Sequence, residues 1–257
     1  MTTFQSSGLA IAYDDIGSGG AGCVVLAHGF ATNRAENWRR LGWYGAFERQ
    51  GYRIVALDLR GHGMSDKPHD PAAYDGDIMA ADIIALMDHL KLNRVDLMGY
   101  SMGSHLALRV ALTHPERVAN LILGGVGARV LHPASLGADG MTMAQALRAD
   151  DPAVIADPTL RGFRQFAENQ GEDRQALAAC SEARGDRQTA ENLAAITTPT
   201  LVVAGGLDEI AGDPQVLADA IAGAKAVSLP ACDHFTAIPH ALFKAAVFDF
   251  LEGWEEF

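Results

Sequence analysis

The chain has 257 residues, of which 49% are hydrophobic, and a formal net charge of −12 at pH 7. That length and hydrophobic share are enough for one substantial core. The acidic balance excludes nucleic acid and anionic membranes as expected partners, since both require a positively charged footprint. No apolar run is long enough to span a bilayer, and the first residues lack the basic and apolar regions of a signal peptide.

The cysteines are few and scattered, at Cys23, Cys180 and Cys232. No pair has zinc-ligand or redox spacing, so we expect reduced thiols in a cytoplasmic protein.

The first part of the chain predicts a weakly alternating edge hairpin at residues 9–14 and apolar strands at 23–27 and 53–57. A helix is expected between these two strands, over residues 36–49. A glycine-rich segment at 17–22 formally matches G-x-G-x-x-G. It precedes a strand and does not lead from a strand into a helix, so it lacks the context of a dinucleotide site. We expect a flexible turn there and no cofactor.

The loop after the strand at 53–57 reads Asp58-Leu59-Arg60-Gly61-His62-Gly63-Met64-Ser65. His62 is a candidate catalytic residue by type, but packing of this glycine-rich loop is the favoured interpretation. We expect Asp58 and Arg60 to hold the loop by hydrogen bonds and charge.

An amphipathic helix is predicted at residues 77–90, followed by a short apolar strand that begins at Val95. The chain then turns at Gly99-Tyr100-Ser101-Met102-Gly103 and continues as a predicted helix to Leu112. A serine between two glycines, with a strand before and a helix after, is the pattern of a nucleophile elbow. A strained turn lifts the serine hydroxyl clear of the backbone, and the glycines let the turn close.

Strand and helix alternate up to the strand at 118–123, and the strands are apolar without clear alternation, which predicts a parallel sheet buried on both faces. From 128 to 195 no strand-like run occurs. We expect a small helical insertion over the C-terminal edge of the sheet; helices packed beside the sheet are the alternative. The expected helical stretches there are 141–148, 160–169 and 174–184. The sheet then resumes with strands at 200–204 and 226–229 and helices at 214–222 and 241–251.

A nucleophilic serine needs a base, and the base needs an orienting acid. Asp208 follows the strand at 200–204, and His234 follows the strand at 226–229. Chemistry collects outside the carboxyl ends of parallel strands, so Ser101, Asp208 and His234 are expected at one edge of the sheet. Their order along the chain, serine then aspartate then histidine, is typical of this architecture.

Other residues of the same types are candidates for these roles. Asp213 and Glu209 lie close to Asp208 and are alternative acids. His240, at the start of the last helix, is interpreted as structural, and His28 is not expected to be the base. Two further serines lack the elbow pattern: Ser65 and Ser104.

In these motifs the chain resembles an α/β-hydrolase-fold serine hydrolase, and by pattern it is similar to the small bacterial esterases and enol-lactonases. The resemblance implies a mostly parallel central sheet flanked by helices, in a single domain of residues 1–257 with a helical cap at about 128–195. The motifs are specific for the fold and not for a substrate. They are His28-Gly29-Phe30, the segment 58–65, Gly99–Gly103, Gly205-Gly206-Leu207-Asp208 and Asp233-His234-Phe235.

The resemblance also implies the roles. Ser101 attacks a carbonyl carbon, His234 carries the proton, and Asp208 fixes the imidazole tautomer. The backbone amides of Phe30 and Met102 hold the oxyanion. The expected substrate is a small ester or lactone, with neither metal nor cofactor.

Alternative activities remain on the same scaffold. Haloalkane dehalogenases and epoxide hydrolases need an aspartate at the elbow, so Ser101 argues against both. Carbon–carbon bond hydrolysis and cofactor-free perhydrolysis stay open, because both can use a serine. A non-catalytic ligand-binding protein is the alternative from another class, and it is disfavoured because the three triad residues are present.

Two sets of residues bear on specificity. Asp233 stands where glycine commonly precedes the histidine, and it either raises the histidine pKa or, as we favour, points to solvent. Arg161 and Arg164 either receive a substrate carboxylate or, as we favour, face solvent. The apolar candidates for the pocket lining are Phe30, Tyr100, Met102, Val126, Met141, Met143, Phe163, Phe166, Ile210 and Phe235. The sequence specifies no oligomeric state.

Overall fold

The computed structural model describes residues 2–133, 140–183 and 188–253. In this part of the chain, eight strands form one sheet in the order β1-β2-β4-β3-β5-β6-β7-β8. The hairpin of β1 and β2 lies at one edge, β2 pairs antiparallel with β4, and all other pairs are parallel. The strands are β1 Thr2–Ser6, β2 Leu9–Ile16, β3 Gly22–Ala27, β4 Tyr52–Leu57, β5 Val95–Tyr100, β6 Val118–Gly124, β7 Thr200–Gly205 and β8 Lys225–Leu229.

The apolar strands are covered on both faces, as their composition predicts. Every residue of β5 and β7 is buried, because helices pack on each side of the sheet. One face is covered by α1 Trp43–Arg49 and α9 Ala241–Leu251. The other is covered by α2 Gly76–His89, α3 Met102–Thr113 and α8 Pro214–Asp219. The expected α/β class, a mostly parallel sheet flanked by helices, is confirmed.

The single helix expected over residues 36–49 is wrong. A π-helical turn spans Ala35–Arg39, and α1 begins only at Trp43. Gly42, between them, has a φ of 78°, a left-handed conformation that ends a helix and that glycine adopts without strain. The break lets two indole rings, Trp38 and Trp43, meet edge to face at 6.0 Å inside the core.

Between β6 and β7 the described residues form α4 Met143–Arg148, α5 Pro158–Asn169, α6 Arg174–Glu182 and α7 Ala190–Ala194, hereafter the α4–α7 segment. This is the region of the insertion expected at 128–195, of which residues 134–139 and 184–187 lie outside the described chain. The helix expected at 174–184 ends at Glu182, and Arg184 is among the residues not described.

The α4–α7 segment is attached to the sheet's loops through the turn between α5 and α6. The Glu172 carboxylate accepts hydrogen bonds from Asn33 Nδ2 at 3.0 Å and from the Gly63 amide at 2.8 Å. Beside it, Asp173 pairs with His69 at 2.9 Å. Burial raises the pKa of Glu172 above its ordinary value. The turn is therefore fixed to the loops that follow β3 and β4.

Arg164 lies where neither interpretation of the sequence placed it. Its side chain is 2% exposed, and Nη1 donates to the carbonyl oxygens of Ala146 and Ala149 at 3.0 and 2.6 Å. Glu168, one turn along α5, pairs with it at 2.8 Å. The carbonyl groups at the end of α4 lack partners within that helix, and Arg164 supplies them. It joins α4 to α5, whereas Arg161 is exposed.

No helix in the described ranges combines the length and the apolar character needed to cross a membrane. Within the same ranges, no group of three or more His, Cys, Asp or Glu side chains could hold a metal ion. The three cysteines are free thiols.

Candidate active site

The turn between β5 and α3 consists of one residue, Ser101. Its φ of 51° and ψ of −114° are strained for a residue with a side chain. The Ser101 amide donates to the Gly124 carbonyl oxygen at 2.8 Å, which holds the turn against β6. A Cβ at Gly103 would lie 2.0 Å from the Ala27 oxygen, and one at Gly99 would lie 2.3 Å from the Gly103 oxygen. Both glycines are therefore needed to close the turn.

The serine, histidine and aspartate expected at one edge of the sheet form a continuous line. His234 Nε2 lies 3.0 Å from Ser101 Oγ, and His234 Nδ1 lies 2.8 Å from Asp208 Oδ2. The Asp208 side chain is fully buried, and that of His234 is 7% exposed. With Nδ1 protonated and bonded to the carboxylate, Nε2 is the acceptor for the serine hydroxyl.

Asp208 is held in place from its own loop as well. Its Oδ1 accepts the amides of Ile210 and Ala211 at 3.0 and 2.9 Å, which leaves Oδ2 for the histidine. The alternative acids lie elsewhere: Asp213 accepts the Gln215 amide and begins α8, while Glu209 is exposed.

The loop that carries His234 is held by Tyr100, the last residue of β5. The Tyr100 hydroxyl donates to the backbone oxygen of His234, and the two rings lie 5.5 Å apart. Burial raises the pKa of Tyr100 well above its ordinary value, so this donor keeps its proton. No sequence pattern separated this tyrosine from the other lining candidates.

Asp233 closes the turn after β8. Its Oδ1 accepts the amides of Thr236 and Phe235 and the Thr236 hydroxyl, at 2.8, 3.0 and 2.7 Å. These bonds lower the pKa of the carboxyl, the Thr236 amide most. Asp233 is exposed, as the favoured interpretation expects, and it also holds its own turn by these hydrogen bonds.

The loop after β3 lies directly against the elbow. A Cβ at Gly29 would be 3.6 Å from Ser101 Cβ. The Gly29 amide donates to Asn37 Oδ1 at 3.2 Å, which orients the peptide between His28 and Gly29, one residue before Phe30. Met102 is the first residue of α3, so its amide has no acceptor within the helix. Asn37 is buried, and no pattern in the sequence indicates its role, because a lone asparagine inside a predicted helix is typical of a surface residue.

The two histidines of the neighbouring loops are bonded elsewhere. His28 Nε2 accepts the Leu59 amide, and His62 Nδ1 donates to the Arg60 oxygen, each at 3.0 Å. Burial lowers the pKa of His28 to about 4 and that of His62 to about 3. Both histidines are therefore neutral, and their rings pack within these loops. For His62 this agrees with the packing interpretation.

Asp58 and Arg60 hold the loop after β4, as expected. Asp58 accepts the amides of Arg34 and Met64, both at 2.8 Å, and pairs with the Arg34 guanidinium. Arg60 forms a buried bidentate pair with Asp82, with both distances 2.7 Å.

Two cavities meet at the triad. The inner chamber, about 220 Å³, is lined by Ser101, Phe30, Asn37 and Tyr100 among others. The outer chamber, about 480 Å³, lies between α5 and the loops after β7 and β8. Four residues line both: Phe163, Phe166, His234 and Phe235.

Most, but not all, of the expected apolar residues line these chambers. The aromatic candidates and Ile210 do so. Met102 and Val126 pack with the main core, and Met141 and Met143 pack inside the α4–α7 segment, where they line neither chamber.

Comparisons with known proteins agree with this architecture. The family described as "alpha/beta hydrolase fold" matches residues 22–153. The chain is similar to the 2-hydroxymuconate semialdehyde hydrolase of Pseudomonas sp. (strain CF600), with 31% identity over 96% of this chain and 92% of that protein. Among solved structures, it is similar to an esterase from Exiguobacterium antarcticum, with a TM-score of 0.76, 27% identity, and 98% and 99% of the two chains covered.

A third relative extends beyond the matched region. The dihydrolipoyllysine-residue acetyltransferase component of the acetoin cleaving system of Pseudomonas putida is 33% identical over 80% of this chain but only 57% of its own length. The chain spans about half the length of this and two other curated relatives that it matches.

Proposed function

Because the chain belongs to the alpha/beta hydrolase family, we propose that it is a serine hydrolase that cleaves a small carboxylic ester or lactone through an acyl-enzyme on Ser101. The observation that carries this proposal is the unbroken hydrogen-bonded line from Asp208 through His234 to the Ser101 hydroxyl, which opens into a chamber.

The first half of the reaction acylates the serine. Ser101 Oγ attacks the carbonyl carbon while His234 Nε2 takes the hydroxyl proton, and Asp208 stabilises the imidazolium that results. The developing oxyanion is held by the amides of Phe30 and Met102, each of which is worth about 3 kcal/mol of barrier. The bond from carbon to the leaving oxygen then breaks, and His234 returns the proton to that oxygen.

The second half regenerates the enzyme. Water attacks the acyl carbon while His234 takes its proton, the bond to Ser101 Oγ breaks as His234 returns that proton to Oγ, and the acid product leaves. With a lactone, the leaving oxygen stays attached to the acyl group, so one hydroxy acid is the product.

We also propose that the α4–α7 segment acts as a cap within a single domain of residues 1–257. Its helix α5 supplies Phe163 and Phe166 to both chambers. A cap in this position excludes water from the acyl-enzyme and shapes the substrate pocket.

Carbon–carbon bond hydrolysis is the second candidate, and the near full-length similarity to 2-hydroxymuconate semialdehyde hydrolase favours it. Turnover of vinylogous diketones at rates above those of esters would select this alternative. Perhydrolysis would use the same acyl-enzyme, and ester turnover in the presence of peroxide tests it through peracid formation.

The nucleophile is tested by labelling with a fluorophosphonate and by the burst with an activated short-chain ester. We expect wild type and Ser104→Ala to label and to turn over, whereas Ser101→Ala does neither and keeps its thermal stability. Ser104 is the matched control, because its hydroxyl is bonded to the Gly124 oxygen at 2.8 Å. A folded wild-type protein without labelling, or an active Ser101→Ala, contradicts the proposal.

A further inference from the structure

The outer chamber combines aromatic rings with negative charge. Phe235, 48% exposed, stands beside Phe163 and Phe166, with ring centroids 6.0 and 5.5 Å away. The rings are tilted by 58° and 54°, so they do not cover one another's faces. Two acidic residues, Glu209 and Asp233, line the same space.

Positive charge is scarce around both chambers. Among the described residues that line them, Arg40 is the one lysine or arginine. It lies in the inner chamber, paired with Glu36 at 3.0 Å. The N-terminus of α5 also faces the outer chamber, but the Asp157 carboxylate accepts the amides of Thr159 and Leu160 and offsets its partial charge.

The two chambers contact different groups of the catalytic site. Ser101 and Phe30 line the inner chamber and not the outer one, so the acyl group bound to the serine belongs in the inner chamber. His234, which gives the proton to the leaving oxygen, lines both. The leaving group therefore departs past the imidazole into the outer chamber.

Resting on the function proposed above, we propose that the outer chamber binds the leaving group and selects an alcohol that carries a positive charge, such as a quaternary or primary ammonium. A cation is attracted to aromatic faces and to the carboxylates around them. A carboxylate on the leaving group meets repulsion from Glu209 and Asp233 instead. The acidic groups act here because they border an aromatic cavity that opens onto the catalytic imidazole.

The chemistry is that of the proposed hydrolysis. The bond between the acyl carbon and the alcohol oxygen breaks, the alcohol takes the proton from His234, and its ammonium group stays unreacted in the outer chamber. The positive charge therefore changes binding of the leaving group without altering the bonds that form and break.

Three esters of one acid separate charge from shape: butyrylcholine, its uncharged carbon isostere 3,3-dimethylbutyl butyrate, and 3-butyryloxypropanoate. We expect kcat/KM for butyrylcholine to exceed that for the isostere by about tenfold at low salt, and the carboxylate ester to be the poorest. The advantage should shrink as salt rises to 1 M, where the Debye length is about 3 Å. Equal rates for choline ester and isostere, or a preference for the carboxylate ester, overturn the inference.

A pair of variants distinguishes the chamber from the overall charge. Glu209→Gln should lower the ratio of kcat/KM between butyrylcholine and the isostere severalfold. Glu116→Gln removes the same charge from an exposed site in the turn that leads into the amino end of β6. Because the catalytic residues follow the carboxyl ends of their strands, this variant should leave the ratio unchanged. The ratio cancels any general damage to catalysis. An equal loss in both variants would assign the preference to the net charge and contradict the chamber's role.

Binding without turnover gives a second readout. Phenyltrimethylammonium should inhibit hydrolysis of the uncharged ester competitively and more strongly than tert-butylbenzene, and Phe235→Leu should reduce that difference. Failure of the inference is distinguishable from failure of the proposed function. A protein that labels with fluorophosphonate and hydrolyses all three esters without charge preference contradicts only the inference, whereas one that neither labels nor hydrolyses any ester contradicts the proposed function.

Discussion

At the scale of single residues, the sequence offers three candidates for the acid that orients His234: Asp208, Glu209 and Asp213. Their hydrogen bonds in the structure distinguish Asp208 from Asp213. Asp208 contacts the imidazole at 2.8 Å, while Asp213 is bonded to the Gln215 amide at the start of α8. A side chain that caps a helix contributes to stability and not to turnover.

Asp208→Asn should therefore lower kcat by about 10⁴, because an amide at this position favours the wrong imidazole tautomer. Asp213→Asn should leave kcat unchanged, since asparagine caps a helix about as well as aspartate, and Asp213→Ala should cost about 1 kcal/mol of stability. Ester kinetics and urea unfolding of the three variants check this. Loss of turnover in Asp213→Asn with an active Asp208→Asn would show that the acid is misassigned.

Gly103 is the residue at which the elbow tolerates least change. Gly103→Ala places a methyl group 2.0 Å from the Ala27 oxygen, so we expect loss of soluble folded protein or a large fall in melting temperature. Gly162→Ala is the matched control in an exposed part of α5 with no atom within 4 Å, and it should add about 0.5–1 kcal/mol. Thermal unfolding of both variants is the measurement, and an unperturbed Gly103→Ala would contradict the close packing of α3 against β3.

At the scale of elements, the sequence predicts best what local pattern controls. Continuous apolar runs place the parallel strands to within a residue or two, and the elbow pattern places the turn between β5 and α3. The break at Gly42 was missed because a glycine inside an apolar pattern is also compatible with a continuous helix.

In the candidate site, too, some residues can be predicted from local sequence pattern and others cannot. The positions of Ser101 and His234 follow from strand ends, which a single chain reveals. The partners of Arg164 and Asn37 come from other elements or from a neighbouring loop, so they require the tertiary structure. The division into two chambers depends on how α5 lies over the loops, and no pattern in the chain encodes it.

Arg164 joins α4 to α5, so its replacement should lower the stability of the α4–α7 segment. Arg164→Leu removes the donor to the Ala146 carbonyl oxygen and leaves the Ala149 oxygen with the longer 3.3 Å bond from Arg174, so we expect a loss of about 2–3 kcal/mol. Arg161→Leu, on an exposed face of the same helix, should change stability by less than about 1 kcal/mol. Urea unfolding and limited proteolysis compare the two. Equal effects would show that the buried contacts of Arg164 contribute nothing.

At the scale of the whole molecule, burial of His28 and His62 makes stability depend on pH. The pKa of His28 is lowered to about 4 and that of His62 to about 3 by burial, whereas an unfolded histidine has a pKa of about 6.5. Between these values the unfolded state binds more protons, so stability falls as pH falls. The full contribution is present above pH 6.5 and is lost progressively below it.

We expect the free energy of unfolding to drop by about 2 kcal/mol per buried histidine between pH 7.5 and pH 5. His62→Asn removes one of these groups and should reduce the drop by about half of the histidine contribution. The control is His132→Asn at an exposed position, which should leave the pH dependence unchanged. Urea unfolding at the two pH values measures it, and an unchanged slope in His62→Asn would contradict burial of that ring in neutral form.

The pairing of β6 with β7 has a consequence for how such a protein acquires new preferences. The chain leaves the sheet after Gly124 and re-enters at Thr200, and these two strands are direct neighbours in the sheet. The sheet fixes both attachment points: the strands are parallel, with Leu121 opposite Thr200, so the excursion returns from the carboxyl end of β6 to the amino end of β7, whatever its length. A foreign helical module could be spliced in at these positions without stretching the strands that carry Ser101, Asp208 and His234. Selectivity can thus be exchanged as a unit while the reacting groups are inherited intact.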